Sequence, residues 1–139
     1  MGMWLYQLSQ KRWSPERYRL EIWEHEKWNW PVGDKPPPRE APEPGDTIVF
    51  FYAPTGGKEP GFYGWAVVLE WYPDSDSPLY FRPVAPSDYL KMRPWWNQAA
   101  ADLADEIRGT MKQGTLWRIP QPLAEKLRSG LAEWMTSPA

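Results

Sequence analysis

The chain has 139 residues, with 16 Lys and Arg against 18 Asp and Glu, one His and no Cys, for a formal net charge of −2. That length suits one core and reads as a single domain over 1–139, and the balanced charge excludes a uniformly basic nucleic-acid coat. Without cysteine there is no disulfide scaffold, no thiolate catalysis and no cysteine-ligated zinc, a pattern that fits a cytoplasmic protein.

In chain order, Met3 to Ser9 is rich in β-formers and reads as a first strand. Ser14-Pro15 offers a helix cap followed by proline at the first helical position, with Glu16 in the positive first turn. A short helix to about Glu24 would turn Tyr18, Ile22 and Trp23 inward. Trp28-Asn-Trp30 follows, in a loop bounded by prolines that extends over 31–44 and that prolines stiffen against helix. Glu43-Pro-Gly-Asp46 is a turn signal leading into a strand from Thr47 to Tyr52. Ala53 to Pro60 reads as a loop, and Gly61 to Trp71 as a long central strand in which Gly64 marks a bulge, a bend or a close approach. After the turn Pro73 to Pro78, Leu79 to Val84 is the hairpin partner. A helix opens at Pro94 with Trp96, Ala99, Leu103 and Ile107 at helical spacing, and Gly109 ends it. Gln113 to Ile119 reads as a last strand. Gln121 to Met135 is an amphipathic helix with Leu123, Leu127, Leu131 and Trp134 on one face. The order predicts an α+β fold, a small curved sheet or barrel flanked by helices, without internal repeats.

Enzyme chemistry has little to stand on. His25 lies in a charged stretch, Glu24 to Lys27, with no nucleophile paired to it, and reads as a solvated residue. Asp74 and Asp76 fit an ordinary turn, and Asp102, Asp105 and Glu106 a wet helix face; neither group has the convergent oxygens of a metal site. Gly56-Gly-Lys58 lacks the P-loop spacing. No stretch reaches the ~20 apolar residues of a membrane span, Met1 to Gln10 has no signal-peptide pattern, and Tyr6 stands where a myristoylation motif wants Ser or Thr. The reading is a protein that is not an enzyme and carries no metal or cofactor. Its main functional resource is aromatic surface, since eleven residues are tryptophan.

Several segments together resemble a known module. The Trp-led first strand, Trp28-Asn-Trp30 after a short helix, Pro44-Gly-Asp46 before Ile48 to Tyr52, Pro60-Gly-Phe-Tyr-Gly-Trp-Ala66, and Gln113-Gly-Thr115 near the end resemble the EVE domain. That is a PUA-like domain related to the YTH and ASCH domains, and the resemblance covers about Met3 to Trp134. It implies a small PUA-like barrel whose aromatic pocket accepts one flipped-out modified base, methylated or hydroxymethylated cytosine or N6-methyladenine, from DNA or RNA. Trp28 or Trp30 stands where the family places a pocket tryptophan, and Tyr52 matches the aromatic before the polar pocket residue. The chain departs from the family at Ala53-Pro54, where a polar pair is common, and at Pro31 to Asp34, where an Arg-Asn run is common. Related domains serve modification-dependent restriction systems, so a restriction nuclease or NTPase subunit is a conceivable partner.

The physics is compatible with that reading. Flipping a base costs a few kcal/mol, and each aromatic stack returns ~1–3 kcal/mol. The candidate base-binding residues are therefore Trp28, Trp30, Tyr52 and Trp71, with Asn29, Ser9 and Gln113 as edge readers. Lys58, Lys91, Arg93, Arg108 and Lys112 are the candidate phosphate contacts. Trp4, Trp65, Trp117 and Trp134 are assigned to the core, Trp13 and Trp23 to packing of the first helix, and Trp96, rather than Trp95, to the inward side of the second helix. Two rival readings are a PUA-like RNA-binding module without base selectivity and a protein-interaction domain using the proline-rich loop and exposed tryptophans.

Overall fold

The computed structural model describes residues 2–8, 13–23, 25–33, 36, 40–52, 60–84, 94–109 and 116–136. Among these, six strands and three helices follow in the order β1 Met3–Leu8, α1 Pro15–Glu21, β2 Trp28–Trp30, β3 Thr47–Tyr52, β4 Gly61–Trp71, β5 Leu79–Val84, α2 Gln98–Gly109, β6 Leu116–Arg118 and α3 Gln121–Thr136. The strands form one sheet in the order β2-β5-β4-β3-β1-β6, curled into a half-barrel. Only the β1–β3 pair is parallel. The other ladders are antiparallel. The fold is α+β, as the sequence pattern predicts.

Two glycines and one carboxylate shape the sheet. Gly45 takes a φ of 93° in the turn before β3, and Gly64 a φ of 64° inside β4, both positive values that L side chains rarely adopt. Opposite Gly64 the ladder slips, because Val49 pairs with Trp65 while Phe50 pairs with Tyr63, so Gly64 is the extra residue of a β-bulge. Asp46, at the entry to β3, is the single charged side chain buried among the described residues. It accepts the Gly2 N–H at 2.9 Å, the Trp4 indole N–H at 3.0 Å and the Glu43 N–H at 3.0 Å. The carboxylate thus ties the start of β1, a core tryptophan and the preceding turn to one point.

The core lies between the inner face of the sheet and the helices and is rich in aromatics: Trp4, Tyr18, Phe50, Phe51, Tyr52, Phe62, Tyr63 and Phe81 are all fully buried. Ser14 caps α1 by accepting the Arg17 N–H at 3.2 Å, which turns Tyr18 and Ile22 inward. Trp4 is core as expected, whereas Trp65, Trp117 and Trp134 are only partly buried against it.

The second helix departs from expectation. It starts at Gln98, four residues after Pro94, because Phe62 and Trp95 first exchange two backbone hydrogen bonds in an isolated bridge. That bridge turns Trp95 inward, at 7% exposure, and Trp96 outward, at 37%. The buried helix positions are Ala100, Leu103, Ala104 and Ile107, so Ala99 leaves the predicted stripe. Trp95 lays its ring on α3 at Gly130, where any Cβ would collide with it. Alanine in a helix interior normally gains up to about 1 kcal/mol over glycine. Here Gly130→Ala is expected to lose about 1–3 kcal/mol instead, by overpacking that forces the Trp95 ring to shift. A thermal melt of the variant checks this, and an unchanged or raised melting temperature would show the ring free to move.

Candidate functional site

The candidate site is built on the edge strand β2. It pairs with β5 through Trp28↔Phe81, Asn29↔Tyr80 and Trp30↔Leu79. Side chains alternate along a strand, so Trp28 and Trp30 share the inner face and Asn29 takes the outer one. Trp30 is 4% exposed and surrounded by rings. Phe81 lies at 5.0 Å between centroids, Tyr6 at 5.2 Å, Phe50 at 5.3 Å, Trp13 at 5.5 Å and Tyr18 at 6.1 Å. Trp28, at the rim, is only half-buried.

Trp13 closes the cluster from above. It precedes the Ser14 cap, the position from which an apolar side chain folds back onto a helix. Its ring crosses Trp28 at 84° and 6.3 Å. The Arg17 guanidinium sits 4.0 Å over Trp13 and also pairs with Glu21. On the other side His25 packs its ring 4.9 Å from Trp28. Arg17 and His25 therefore flank a half-buried tryptophan pair.

The polar atoms of the cluster are nearly all committed. The Tyr6 hydroxyl donates to the Pro31 carbonyl and the Tyr52 hydroxyl to the Trp13 carbonyl. Burial pushes the phenols of Tyr6, Tyr18 and Tyr52 well above their ordinary range, helped for Tyr18 and Tyr52 by neighbouring tyrosines, so these hydroxyls stay protonated. One atom is left over. The Trp30 indole N–H is buried and has no acceptor among the described residues. The interior is thus neutral, flat-walled and carries one spare donor.

The predicted site residues fall in different places. Trp28 and Trp30 come together, joined by Trp13, which the sequence reading assigned to helix packing, by His25, assigned to solvated surface, and by Arg17, which it did not single out. The Trp13-to-Arg17 spacing, with Arg17 one turn into the capped helix, was the available signal. Trp71 lies on the inner face at the end of β4, opposite Leu79, whose other partner is Trp30. It is thus two strand spacings, about 10 Å, from Trp30. Tyr52 is fully buried in the core with its hydroxyl engaged. Asn29 does not sit between the two indoles. It points to the outer face and its amide donates to the Ser77 carbonyl at 3.4 Å, because residues adjacent in a strand cannot share a face. Its surroundings are Tyr80, Tyr72 and the exposed Lys27–Glu70 pair at 3.0 Å. That hydrogen bond holds the Lys27 ammonium above and the Glu70 carboxyl below their usual ranges. Arg108 is exposed in the last turn of α2, a helix that packs on α3 and β4. Ser9, Gln113, Lys58, Lys91, Arg93 and Lys112 lie outside the described residues, as does Ala53-Pro54.

A separate hollow lies on the helical side of the molecule. A cleft of about 600 Å³ separates α2 from α3, walled by Trp95 and Trp134 and edged by Asp102, Glu106 and Glu133 against a single Lys126. Three carboxylates to one ammonium repel phosphate, so size alone does not make this the nucleic-acid face. No group of three His, Asp or Glu side chains that would hold a metal ion occurs among the described residues, and no described helix is long and apolar enough to cross a membrane.

No protein-family model and no curated protein sequence matches the chain. Solved structures do. Human THYN1, in complex with DNA containing 5-methylcytosine, superposes with a TM-score of 0.55 at 13% identity over the full length of both chains. The Mmi1 YTH domain gives a TM-score of 0.54 at 7% identity, over 98% of this chain and 91% of that one. A protein from Agrobacterium tumefaciens gives 0.55 at 18% identity, over 94% and 93%. The chain has the EVE/PUA-like fold.

Proposed function

We propose that this EVE/PUA-like chain is a non-catalytic reader that takes one flipped-out modified base of DNA or RNA into the aromatic cluster around Trp28. The bases considered are methylated or hydroxymethylated cytosine and N6-methyladenine. The observation that carries the reading is the trio Trp13, Trp28 and Trp30, two half-buried indoles crossed over a buried one at the edge of the sheet. The THYN1 complex, whose DNA carries 5-methylcytosine, supports a ligand of this kind for the shared fold.

Stacking a base between two rings needs about 7 Å between them, twice a van der Waals contact. Trp13 and Trp28 stand nearly perpendicular at 6.3 Å, so no slot is open between them. On this reading Trp13 swings aside and the base takes its place against Trp28 and Trp30. Opening gives up the exposed Arg17–Trp13 cation–π pair, about 0.5–1 kcal/mol, and the Trp13 ring contacts with Trp28 and Trp30, about 0.5–1.5 kcal/mol each. Two aromatic faces at ~1–3 kcal/mol each then offset the few kcal/mol of flipping. Arg17 and His25 are placed to meet the flanking backbone, with Arg108, Lys58, Lys91, Arg93 and Lys112 as further phosphate contacts. A restriction nuclease or NTPase subunit is the partner to seek.

Tryptophan fluorescence titrated with single-stranded oligonucleotides, unmodified or carrying one 5-methylcytosine, 5-hydroxymethylcytosine or N6-methyladenine, tests the proposal at two salt concentrations. One modified oligonucleotide should bind preferentially. Trp28→Ala should weaken it about tenfold or more, the worth of one stack, while Asn29→Ala on the outer face should leave it unchanged. Equal, salt-sensitive binding of all oligonucleotides would replace this reading with a general RNA-binding module. Absence of binding would turn the search to protein partners.

A further inference from the structure

We infer that Trp30 is the specificity-determining donor of this site, giving its indole N–H to a ring-nitrogen or carbonyl acceptor of the bound base. The inference rests on the base-reader function and goes beyond it, since it assigns the edge contact to a side chain that the fold would otherwise use only as core.

The argument starts from the unmade hydrogen bond. Buried N–H groups are almost always partnered, and one left alone opposes folding. Around Trp30 the rule is otherwise kept: Tyr6 bonds Pro31, Tyr52 bonds Trp13, and Trp4 bonds Asp46. The Trp30 Nε1 is the single buried side-chain nitrogen or oxygen without a partner among the described residues. Five aromatic rings surround the Trp30 indole, none of which offers a lone pair in the ring. A phenylalanine would serve a purely apolar core here without stranding a donor. Trp13 lies against Trp30 at 5.5 Å, is itself half-buried, and carries the exposed Arg17 guanidinium on its ring. On this inference a base that displaces Trp13 reaches the spare N–H, the one uncommitted donor in a wall made mostly of ring faces.

The chemistry of that atom restricts the ligand. Indole N–H donates and cannot accept. The edge facing it must carry a lone pair: N3 or O2 of cytosine, or a ring nitrogen of adenine. A base whose acceptor is methylated or replaced by C–H loses the bond, and the modification being read lies elsewhere on the ring. Sites built around a hydrogen bond reject the analogue lacking it more sharply than apolar walls reject a methyl group.

The test follows the eleven indole N–H resonances of the ¹⁵N-tryptophan-labelled protein. The probes are the oligonucleotides with one 5-methylcytosine or one N6-methyladenine, and the Trp30 signal is assigned by its loss in Trp30→Phe. With the better-bound probe the Trp30 signal should move downfield, from a ring-shielded position to that of a bonded donor. Trp30→Phe, with its fold checked by near-ultraviolet circular dichroism, should bind that probe about tenfold more weakly. It should lose nothing further on a probe whose acceptor nitrogen is replaced by C–H. If the Trp30 signal stays put while Trp28→Ala still abolishes preferential binding, the reader stands and this role of Trp30 falls. If the wild-type protein binds neither probe, the reader function falls and this inference with it.

Discussion

Replacing Asp46 by asparagine is expected to lower the free energy of unfolding by about 1.5–3 kcal/mol, and replacing it by alanine by about 3–5 kcal/mol. The carboxylate accepts three N–H groups, from Gly2 on one oxygen and from Trp4 and Glu43 on the other. Asparagine keeps the shape but turns one oxygen into an NH₂ group. Its best orientation leaves the carbonyl oxygen to Trp4 and Glu43 and sets the amide against the Gly2 N–H, donor facing donor. Alanine strands all three donors, one of them on an indole that is 1% exposed. Urea unfolding measures both, with the slope against denaturant expected to stay constant so that the midpoint reports stability directly. Equal effects of asparagine and alanine would show that negative charge, rather than the count of accepted bonds, holds the corner.

Asp46 also shows why part of this fold is legible without coordinates. The Pro-Gly-Asp strand entry combines a glycine with positive φ and a carboxylate that gathers the neighbouring donors, two demands that few residue types meet. Gly64 is legible for the same reason, since a glycine inside an apolar run has no packing value and marks the bulge. The site is less legible because its residues are told apart by neighbours, which spacing does not show. Trp28-Asn-Trp30 looks like loop beside Pro31, but three residues suffice for an edge strand, and the pairing with β5 then separates Asn29 from the indoles on either side. Trp95 and Trp96 exchange roles because a two-bond bridge to Phe62 delays the helix to Gln98. Trp13 reads as helix packing, which it is, and the same position brings it across Trp28 only because α1 docks beside β2.

Trp30→Ala is expected to cost about 3–5 kcal/mol, the range for deleting a large buried aromatic, whereas Trp28→Ala should cost no more than about 1–1.5 kcal/mol. The two residues share a strand, a face and a residue type, so the difference is one of depth. Trp30 touches Tyr6, Trp13, Tyr18, Phe50 and Phe81 and joins β1, α1, β3 and β5 to the edge strand. Removing it leaves a ring-lined cavity that cannot collapse without moving four elements. Trp28 touches Trp13 and His25 at the rim, where water replaces what is lost. Loss of base binding in Trp30→Ala would therefore report unfolding as much as recognition, and the milder Trp28→Ala and Trp30→Phe are the informative variants. Urea unfolding of both alanine variants measures the difference. Added indole should partly restore Trp30→Ala by filling the cavity, because a ligand that binds only the folded state stabilises it. A Trp30→Ala protein within about 1 kcal/mol of wild type would mean that Trp30 stands in an open pocket rather than a packed core. Trp13 would then have no closed contact to surrender when a base arrives.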